Sequence, residues 1–235
     1  MKRKRFLIQT VTNVLLVAIL GVLAAFCLPH SDVKTAYKPY YRGEETSEKV
    51  GIMVNVYQGS EQVEKILRIL ERTGVTCTFF VGGVWAEKNK ELLKRMAQCA
   101  EIGNHGYLHR DHATISEQAN KEEILLCHKL VFAVTKIEMD LFAPPSGSYS
   151  DTTLDVCEKN GYKVIMWSKD TIDWRDRDKD LIYKRATSDV KGGDLILMHP
   201  TEETVKALPK IIAFYKEKNL FPSTVSDVIG IKEYL

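Results

Sequence analysis

The sequence has no excess of charge of either sign, and this restricts the partners that the folded part can bind. Its 235 residues contain 33 Lys and Arg against 31 Asp and Glu. Four of the bases form residues 2–5, which leaves 29 bases against 31 acids, a net charge of −2, for the rest of the chain. A protein that binds nucleic acid needs a basic surface to neutralise phosphates. We therefore expect no nucleic-acid partner.

Cysteine is scarce and scattered along the chain. The five cysteines are an odd number without a C-x₂-C pair, and they stand at Cys27, Cys77, Cys99, Cys127 and Cys157. This spacing argues against both a disulfide framework and a cysteine-based zinc site. Because Cys77 and Cys127 lie in apolar runs, we expect them to be buried free thiols.

Charge is absent from residues 6–28, a run of 23 residues that follows the basic residues 2–5. At about 1.5 Å per residue, a helix of this length crosses a hydrocarbon core of about 30 Å. The preceding bases predict a single-pass anchor in the cell membrane, with the amino terminus in the cytoplasm and the body outside. A cleaved signal peptide, followed by secretion, is the alternative, since Ala25 and Cys27 are small enough for a cleavage site.

Composition divides the chain into three parts. Residues 1–29 form the anchor or signal segment. Residues 30–49 are polar, have no clear periodicity and contain Pro39 and Gly43, which predicts a linker. Residues 50–235 form the folded domain.

The folded domain alternates short β-branched runs with longer helical patterns. Strands are predicted at residues 51–56, 77–81, near 102, 141–142, 164–167 and 194–198, and helices at 62–72, 86–97, 116–135, 152–160, 179–190 and 202–217. Repeated βα units indicate an α/β fold with a parallel sheet covered by helices. No G-x-G-x-x-G turn follows the first strand, which favours a closed or partly open β/α barrel of about seven strands over a dinucleotide-binding sheet.

Unusual polar residues follow the predicted strands. They are Asn55 after the first strand, His105 after Ile102, Asp170 and Asp173 after residues 164–167, and His199 after residues 194–198. In a β/α barrel the carboxyl ends of the strands carry the chemistry. We therefore expect these side chains to meet at one end of the barrel.

Residues 104–109 contain the pair His105 and His109 in an H-x₃-H spacing. Two imidazoles four residues apart share one face if the backbone turns helically, and such a pair can bind Zn²⁺ or a similar divalent ion. His112 extends that face and is a candidate for a third ligand. Two neighbouring histidines with a solvated or structural role are the alternative.

His199 ends the apolar run of residues 195–198. A desolvated imidazole there suits a general acid, and a buried neutral histidine satisfied by one hydrogen bond is the alternative. Residues 170–174 offer a carboxylate that could orient this histidine and hold it protonated. Alternatively, Asp173 caps a helix that begins at Trp174.

Four segments in order resemble the polysaccharide deacetylase family, also called carbohydrate esterase family 4 or the NodB-homology domain, and most closely its sporulation-associated bacterial branch. They are E-I-G-N-H-G-Y-L-H at residues 101–109, F-A-P-P-S-G-S-Y at 142–149, M-W-S-K-D-T-I-D-W at 166–174 and L-I-L-M-H-P at 195–200. The resemblance covers about residues 50–229. It implies a distorted (β/α) barrel, in agreement with the strand and helix pattern.

The resemblance also implies roles for individual residues. In the family, an H-x₃-H pair and an aspartate hold a divalent metal, a second aspartate is the base, and a late histidine is the acid. Carried over, His105 and His109 are metal ligands, His199 is the catalytic acid, and Asp170 is the carboxylate that tunes it. The cofactor would be Zn²⁺ or a similar ion.

Residues 53–59 depart from the family pattern T-F-D-D-G. Asn55 occupies the catalytic base position, and an amide cannot accept a proton at neutral pH. The metal-binding aspartate falls on Val56 or Tyr57, neither of which is a usual zinc ligand. Ala143 replaces the arginine that the family has before the paired prolines, which is consistent with a neutral side chain at position 55.

Two functions are therefore expected of the chain. The first is metal-dependent de-N-acetylation of an amino-sugar polymer, with peptidoglycan as the natural target outside a bacterial membrane. The second is a non-catalytic carbohydrate-binding protein that descends from a deacetylase and has an incomplete metal site.

Overall fold

The computed structural model describes Val17 and residues 37–231. Within these residues, parallel strands form one sheet. The strands are β1 (Lys49–Val56), β2 (Thr78–Val81), β3 (Glu101–Asn104), β4 (Leu141–Phe142), β5 (Lys163–Val164), β6 (Lys169–Asp170), β7 (Leu195–Met198) and β8 (Phe221–Ser223). The helices are α1 (Ser60–Thr73), α2 (Gly83–Lys88), α3 (Lys90–Met96), α4 (Glu117–Thr135), α5 (Asp151–Lys159), α6 (Asp173–Asp176), α7 (Lys179–Thr187), α8 (Glu202–Glu217) and α9 (Val225–Ile229).

Seven strands follow one another in the order β5-β4-β3-β2-β1-β7-β6, and β8 pairs with the start of β1. Every strand pair is parallel. Strands β5 and β6 form the two ends of this path, so the described sheet is an open half-barrel. It fits the α/β distorted barrel expected from the sequence. The short strands β6 and β8 were not predicted.

Strand β1 lies at the centre of the sheet and is buried on both faces. Val54 and Val56 face the main core between sheet and helices, whereas Met53 faces a smaller core inside the half-barrel. Gly51 sits where a Cβ atom would come within 2.6 Å of Leu195 Cδ2 on β7. Apolar residues on both faces are typical of parallel sheets, and they explain why this strand reads as a continuous apolar run.

Side-chain caps mark the N-termini of the long helices α4 and α8. Ser116 accepts a hydrogen bond from Ala119 N at the start of α4, and Thr201 accepts one from Thr204 N at the start of α8. Both helices end at the predicted residues. The helix predicted at residues 86–97 is instead two helices, α2 and α3, which are separated at Asn89.

Residues 37–48, within the predicted linker, contact the folded body. The Tyr37 hydroxyl donates to Tyr162 O (2.5 Å), and Tyr40 N donates to Val164 O (2.9 Å). Arg42 Nη2 donates to Asp194 Oδ1 (2.7 Å), a carboxylate whose side chain is 4% exposed. This segment is thus fixed to the body along β5 and the start of β7.

None of the helices among the described residues is long and apolar enough to cross a membrane. The anchor or signal predicted at residues 6–28 lies, apart from Val17, outside the described residues.

Replacing Arg42 tests how firmly this segment holds the body. We expect Arg42→Ala to lower the free energy of unfolding by about 1–3 kcal/mol, because it removes a charged donor from the buried Asp194. The exposed partner of the same arginine, Glu45, provides the control, since losing an exposed ion pair costs about 0–1 kcal/mol. Urea unfolding of both variants measures the difference. If the Arg42 and Glu45 variants lost equal free energy of unfolding, the contact with Asp194 would not contribute to stability.

Candidate active site at the carboxyl ends of the strands

The structure brings the predicted site residues together in one pocket, here called the strand-end pocket. Its lining comprises Asn55, Tyr57, His105, His109, Ser146, Trp167, Asp170, Trp174, Leu197 and His199. The strands are parallel, so the residues that end or follow them reach the same edge of the sheet. Sequence reasoning did not identify Trp167 and Leu197 as site residues, because apolar residues of this kind do not stand out in a core-forming pattern.

His105 and His109 lie with their ring centroids 5.0 Å apart. His105 Nδ1 is 2.7 Å from the carbonyl oxygen of Ala143, which can only accept, so Nδ1 carries the proton. The lone pair is therefore on Nε2. A backbone carbonyl bound to one ring nitrogen is the usual way to orient a histidine that binds a metal through the other.

A turning loop, not a helix, brings these two histidines together. Gly106 (φ 73°) and His109 (φ 58°) both have left-handed backbone conformations. Glu123 on α4 supports the loop, since its Oε2 accepts from Tyr107 N (3.0 Å) and Leu108 N (2.8 Å). The predicted helical face of residues 105–112 is therefore wrong, although the pair it predicted does meet.

His112 does not join the pair as a third ligand. Its side chain is fully buried, and its Nδ1 donates to Asn120 Oδ1 (2.6 Å) on α4. Asn120 Nδ2 in turn donates to His112 O (3.1 Å). His112 therefore ties the loop to α4, which corrects the role considered for it as a ligand.

His199 is held by Asp173, not by Asp170 as predicted. Asp173 is fully buried, and its Oδ1 lies 2.8 Å from His199 Nδ1. Its Oδ2 accepts from His199 N (2.6 Å) and from the Thr204 hydroxyl (2.5 Å). A carboxylate so fully bonded fixes the imidazole and leaves Nε2 to face the pocket.

Asp170 lines the same pocket but bonds to its own chain, because its Oδ1 accepts from Ile172 N (2.8 Å). The alternative in which Asp173 caps a helix is also wrong. Helix α6 begins at Asp173 itself, and its N-cap residue is Ile172. The motif D-T-I-D-W contained the right residue, but its spacing alone did not distinguish the two carboxylates.

Asn55 is 2% exposed, and its Oδ1 has no hydrogen-bond partner among the described residues. An amide oxygen does not take up a proton at neutral pH, so this side chain cannot act as a general base. An unsatisfied buried polar atom costs about 1–3 kcal/mol and is found where a ligand or water supplies the missing partner.

Tyr57, and not Val56, faces the histidine pair. Val56 is fully buried in the main core, whereas the Tyr57 ring centroid lies 4.2 Å from that of His109. Ala143, at the arginine position of the resemblance, is fully buried in the smaller core beside Met53. None of these three side chains brings a carboxylate to the site.

Burial keeps the histidine pair neutral. It lowers the pKa of His105 from 6.5 to about 3, with a further contribution from the neighbouring His109. Burial also lowers the pKa of His109. Neutral imidazoles offer lone pairs to a ligand at ordinary pH.

The family of this chain follows from comparison with known proteins. Residues 42–165 match the sequence model described as polysaccharide deacetylase. The chain belongs to the polysaccharide deacetylase family. The resemblance found in the motifs is therefore confirmed.

Curated relatives in this deacetylase family include two Bacillus subtilis proteins. The uncharacterized protein YlxY is 33% identical over 82% of this chain, which spans only 60% of YlxY. The peptidoglycan-N-acetylmuramic acid deacetylase PdaA is 25% identical over 84% of this chain and 77% of its own length.

A solved structure with the same fold is described as a CE4 family pseudoenzyme from Bacillus anthracis. It has a TM-score of 0.81 and 32% identity, and the match covers 84% of this chain and 71% of that one. A mutant of that pseudoenzyme, described as having restored enzymatic activity, also has a TM-score of 0.81, at 30% identity and with 84% and 73% coverage. Similarity to this part of the family therefore does not establish catalysis.

The deacetylase family implies a divalent metal, and the side chains of the described residues do not complete a site for one. Protein zinc sites use at least three protein ligands. His105 and His109 supply two nitrogens, but the described residues contain no group of three or more His, Cys, Asp or Glu side chains that could hold a metal ion. Tyr57, whose ring packs against His109, is not a usual zinc ligand.

The low pKa of His105 predicts a pH dependence of stability. Below about 6.5 the unfolded chain binds a proton that the folded chain refuses, so stability falls as the pH falls from 6.5 towards 3. The loss approaches about 1.4 kcal/mol per pH unit from this residue. We expect His105→Gln to flatten the profile between pH 6 and 5 in urea unfolding experiments, whereas an unchanged slope would contradict the assignment.

Substitution of Tyr57 tests why the metal site is incomplete. We expect Tyr57→Asp to raise Zn²⁺ affinity by a factor of about ten or more, because it adds a carboxylate beside two oriented imidazoles. Calorimetric titration with Zn²⁺ measures the effect. Tyr57→Phe is the matched control and should bind as weakly as the native protein. If the Zn²⁺ affinity stayed high when His105→Ala was combined with Tyr57→Asp, the ion would bind elsewhere.

Proposed function

We propose that this member of the deacetylase family binds an N-acetylated amino-sugar polymer such as peptidoglycan without hydrolysing it. The observation that carries the proposal is that Asn55 is a buried amide, at the position that the motif resemblance assigns to the catalytic base. Hydrolysis needs an acceptor for the proton of the attacking water, and general-base assistance contributes about 10²–10⁴ in rate. Asn55 offers none, and Tyr57 offers no third metal ligand.

A second hollow beside the strand-end pocket extends the binding surface; we call it the side hollow. Its lining is Asn55, Tyr57, Gln58, Gly59, Gln62, Trp174, Arg177, His199, Pro200, Thr201, Glu202 and Glu203. Trp174 is 53% exposed and Tyr57 is 41% exposed. Exposed aromatic rings offer flat apolar faces, and amide and charged side chains offer hydrogen bonds, a combination suited to sugar rings.

The similarity to a CE4 family pseudoenzyme supports this proposal, because it gives a precedent for the fold without the activity. Relatives named as peptidoglycan deacetylases support the choice of polymer. A body held outside the cytoplasm, as the sequence of residues 1–28 predicts, would meet peptidoglycan, and that location is part of the proposal.

Deacetylation is the second candidate, and one observation favours it. His199 and Asp173 keep the geometry of an acid held by a buried carboxylate, at 2.8 Å between Nδ1 and Oδ1. His105 also keeps the tautomer of a metal ligand. On this reading the chain would need another base and a metal held by fewer protein ligands than usual.

A binding and hydrolysis assay on the same samples separates the two candidates. Calorimetry with chitooligosaccharide and pull-down with peptidoglycan measure binding, and acetate release with and without added Zn²⁺ or Co²⁺ measures hydrolysis. We expect binding that a chelator leaves unchanged, with acetate release at the level of a buffer blank. Metal-dependent acetate release would overturn the binding proposal in favour of deacetylation.

Trp174 provides the site-directed arm of this experiment. We expect Trp174→Ala to weaken oligosaccharide binding about fivefold, equivalent to about 1 kcal/mol, through loss of its ring face. Phe221→Ala is the matched control, since Phe221 is also 53% exposed but lies at the opposite end of the sheet, paired with Lys49. If Trp174→Ala and Phe221→Ala weakened oligosaccharide binding equally, the strand-end surface would not be the binding site.

A further inference from the structure

The two ends of the sheet, β5 and β6, are not joined to each other by any strand that the structure describes. Residues 37–43, here called the strap, connect the two sides of this opening. Tyr40 N donates to the last carbonyl of β5 (2.9 Å), and Met166 N donates to Tyr40 O (2.8 Å). Gly43 N then donates to Gly193 O (2.7 Å), just before β7. The strap therefore links β5 to β7, which is the neighbour of β6.

Asp194 connects the strap to the rest of the sheet. Its Oδ1 accepts from Arg42 Nη2 and from the Ser168 hydroxyl, both at 2.7 Å, and its Oδ2 accepts from Lys191 N (2.8 Å). The side chain is 4% exposed. A buried carboxylate depends on its donors, because removing one leaves a desolvated charge without a partner. Arg42 and Ser168 are thus held together through one buried charge.

Ser168 stands between two residues that line the strand-end pocket. Trp167 precedes it, and Asp170 follows it on β6. Consecutive Cα atoms are about 3.8 Å apart, so a displacement of Ser168 also displaces its neighbours in the chain. Ser168 N donates to Leu195 O (3.1 Å), which holds the start of β6 beside β7. The contact of Asp194 with Ser168 therefore fixes one wall of the pocket.

The strap also contacts a second part of the pocket lining. The Tyr41 hydroxyl lies 2.9 Å from that of Tyr149, which follows the loop that carries the pocket residue Ser146. In the same loop, a Cβ atom on Gly147 would come within 2.7 Å of Trp167 Cη2, so the indole ring lies directly against the loop. The strap thus holds both the loop and the backbone of the ring that packs on it.

We propose that the strap is a positioning element of the strand-end pocket, and that its docking and the binding of a ligand stabilise each other. Arg42 is the positioning residue. It does not line the pocket, and it acts on Trp167 and Asp170 through Asp194 and Ser168. The ligand-dependent half of this inference rests on the proposed binding function. The inference gives a segment with the sequence pattern of a linker a part in that function.

Thermodynamic linkage explains the coupling. When the strap leaves the body, Asp194 loses a charged donor and the backbone of residues 167–170 loses a fixed position, so the open form binds a ligand more weakly. A ligand shifts an equilibrium only through such a difference in affinity, and the effect is equal in both directions. Openings of this kind require less free energy than global unfolding, and they are typical of segments held by hydrogen bonds at the edge of a sheet.

Hydrogen exchange of the full-length protein tests the positioning without a ligand. We expect Arg42→Ala to speed the exchange of Ser168 N and Thr171 N, which both donate to β7, about tenfold. Gly74 N at the end of α1 is the reference amide, because its fraying does not involve the strap. Glu45→Ala, which removes the exposed partner of the same arginine, is the control variant and should change none of these rates.

Two results of this exchange experiment would overturn the proposal. If Arg42→Ala accelerated Gly74 N as much as Ser168 N, the arginine would contribute only to global stability. If Ser168 N and Thr171 N kept their native rates, β6 would be held without the strap.

A chitooligosaccharide tetramer tests the coupling to a ligand. We expect saturation with the tetramer to slow the exchange of Tyr40 N and Gly43 N about fivefold, although neither amide lies in the pocket. Calorimetry should show weaker binding by Arg42→Ala, by up to the same factor, whereas a purely structural role would leave the affinity of the folded protein unchanged. Strap amides that do not respond to the tetramer would overturn the coupling. If the native protein did not bind the tetramer, the proposed function would fail, and the exchange of Ser168 N alone would decide the positioning.

Ser168→Ala separates strap docking from pocket positioning. It removes the hydroxyl between Asp194 and the pocket wall and leaves the ion pair of Arg42 and Asp194 in place. We expect the strap amides to stay protected in the free variant, while the tetramer no longer slows their exchange. Ser226→Ala in α9 removes another buried hydroxyl and should keep the effect of the tetramer. A full effect of the tetramer in Ser168→Ala would overturn the assigned route through Ser168.

Discussion

The parallel pairing of β1 with β2 and β7 is the constraint on which the site depends. It places the ends of these strands side by side, with Asn55 opposite Phe80 and Val54 opposite Met198. The residues just beyond the strands must then share one edge of the sheet. Burial of β1 on both faces fixes this register, since a slip by one residue would exchange the two cores. The positions of Asn55 on β1, Leu197 on β7 and His199 just after β7 follow from that register.

Within this frame, the site combines an ordered imidazole–carboxylate pair with an amide and an aromatic ring. The His199 and Asp173 pair is rigid and fully bonded, and His105 keeps a defined tautomer. Asn55 and Tyr57, by contrast, bring an amide and an aromatic ring to positions where the motif resemblance implies carboxylates. A site that orients its imidazoles and has no proton acceptor at position 55 suits the proposed function of holding a ligand.

The alternation of apolar runs and helical patterns sufficed to predict a closed or partly open β/α barrel, which the half-barrel fits, and the bounds of helix α8. It also placed His105, His109 and His199 at the edge where they lie. Contacts between segments that are distant in the chain could not be predicted from the sequence. The choice of Asp173 over Asp170 depends on how α6 packs beside β7, and His112 is captured by Asn120 of α4. Strand β6 was missed because its two residues, Lys169 and Asp170, are charged, whereas the equally short β4 is apolar.

The crowding of aromatic residues around the strand-end pocket has an optical consequence. The chain contains three tryptophans, Trp85, Trp167 and Trp174. Trp85 is buried in the main core, whereas the other two line the pocket and Trp174 is half exposed to solvent. Most of the indole fluorescence that responds to solvent polarity thus originates beside Asn55. Trp167 and Trp174 are therefore intrinsic fluorescent probes of ligand binding in the strand-end pocket. No label needs to be attached there to follow binding.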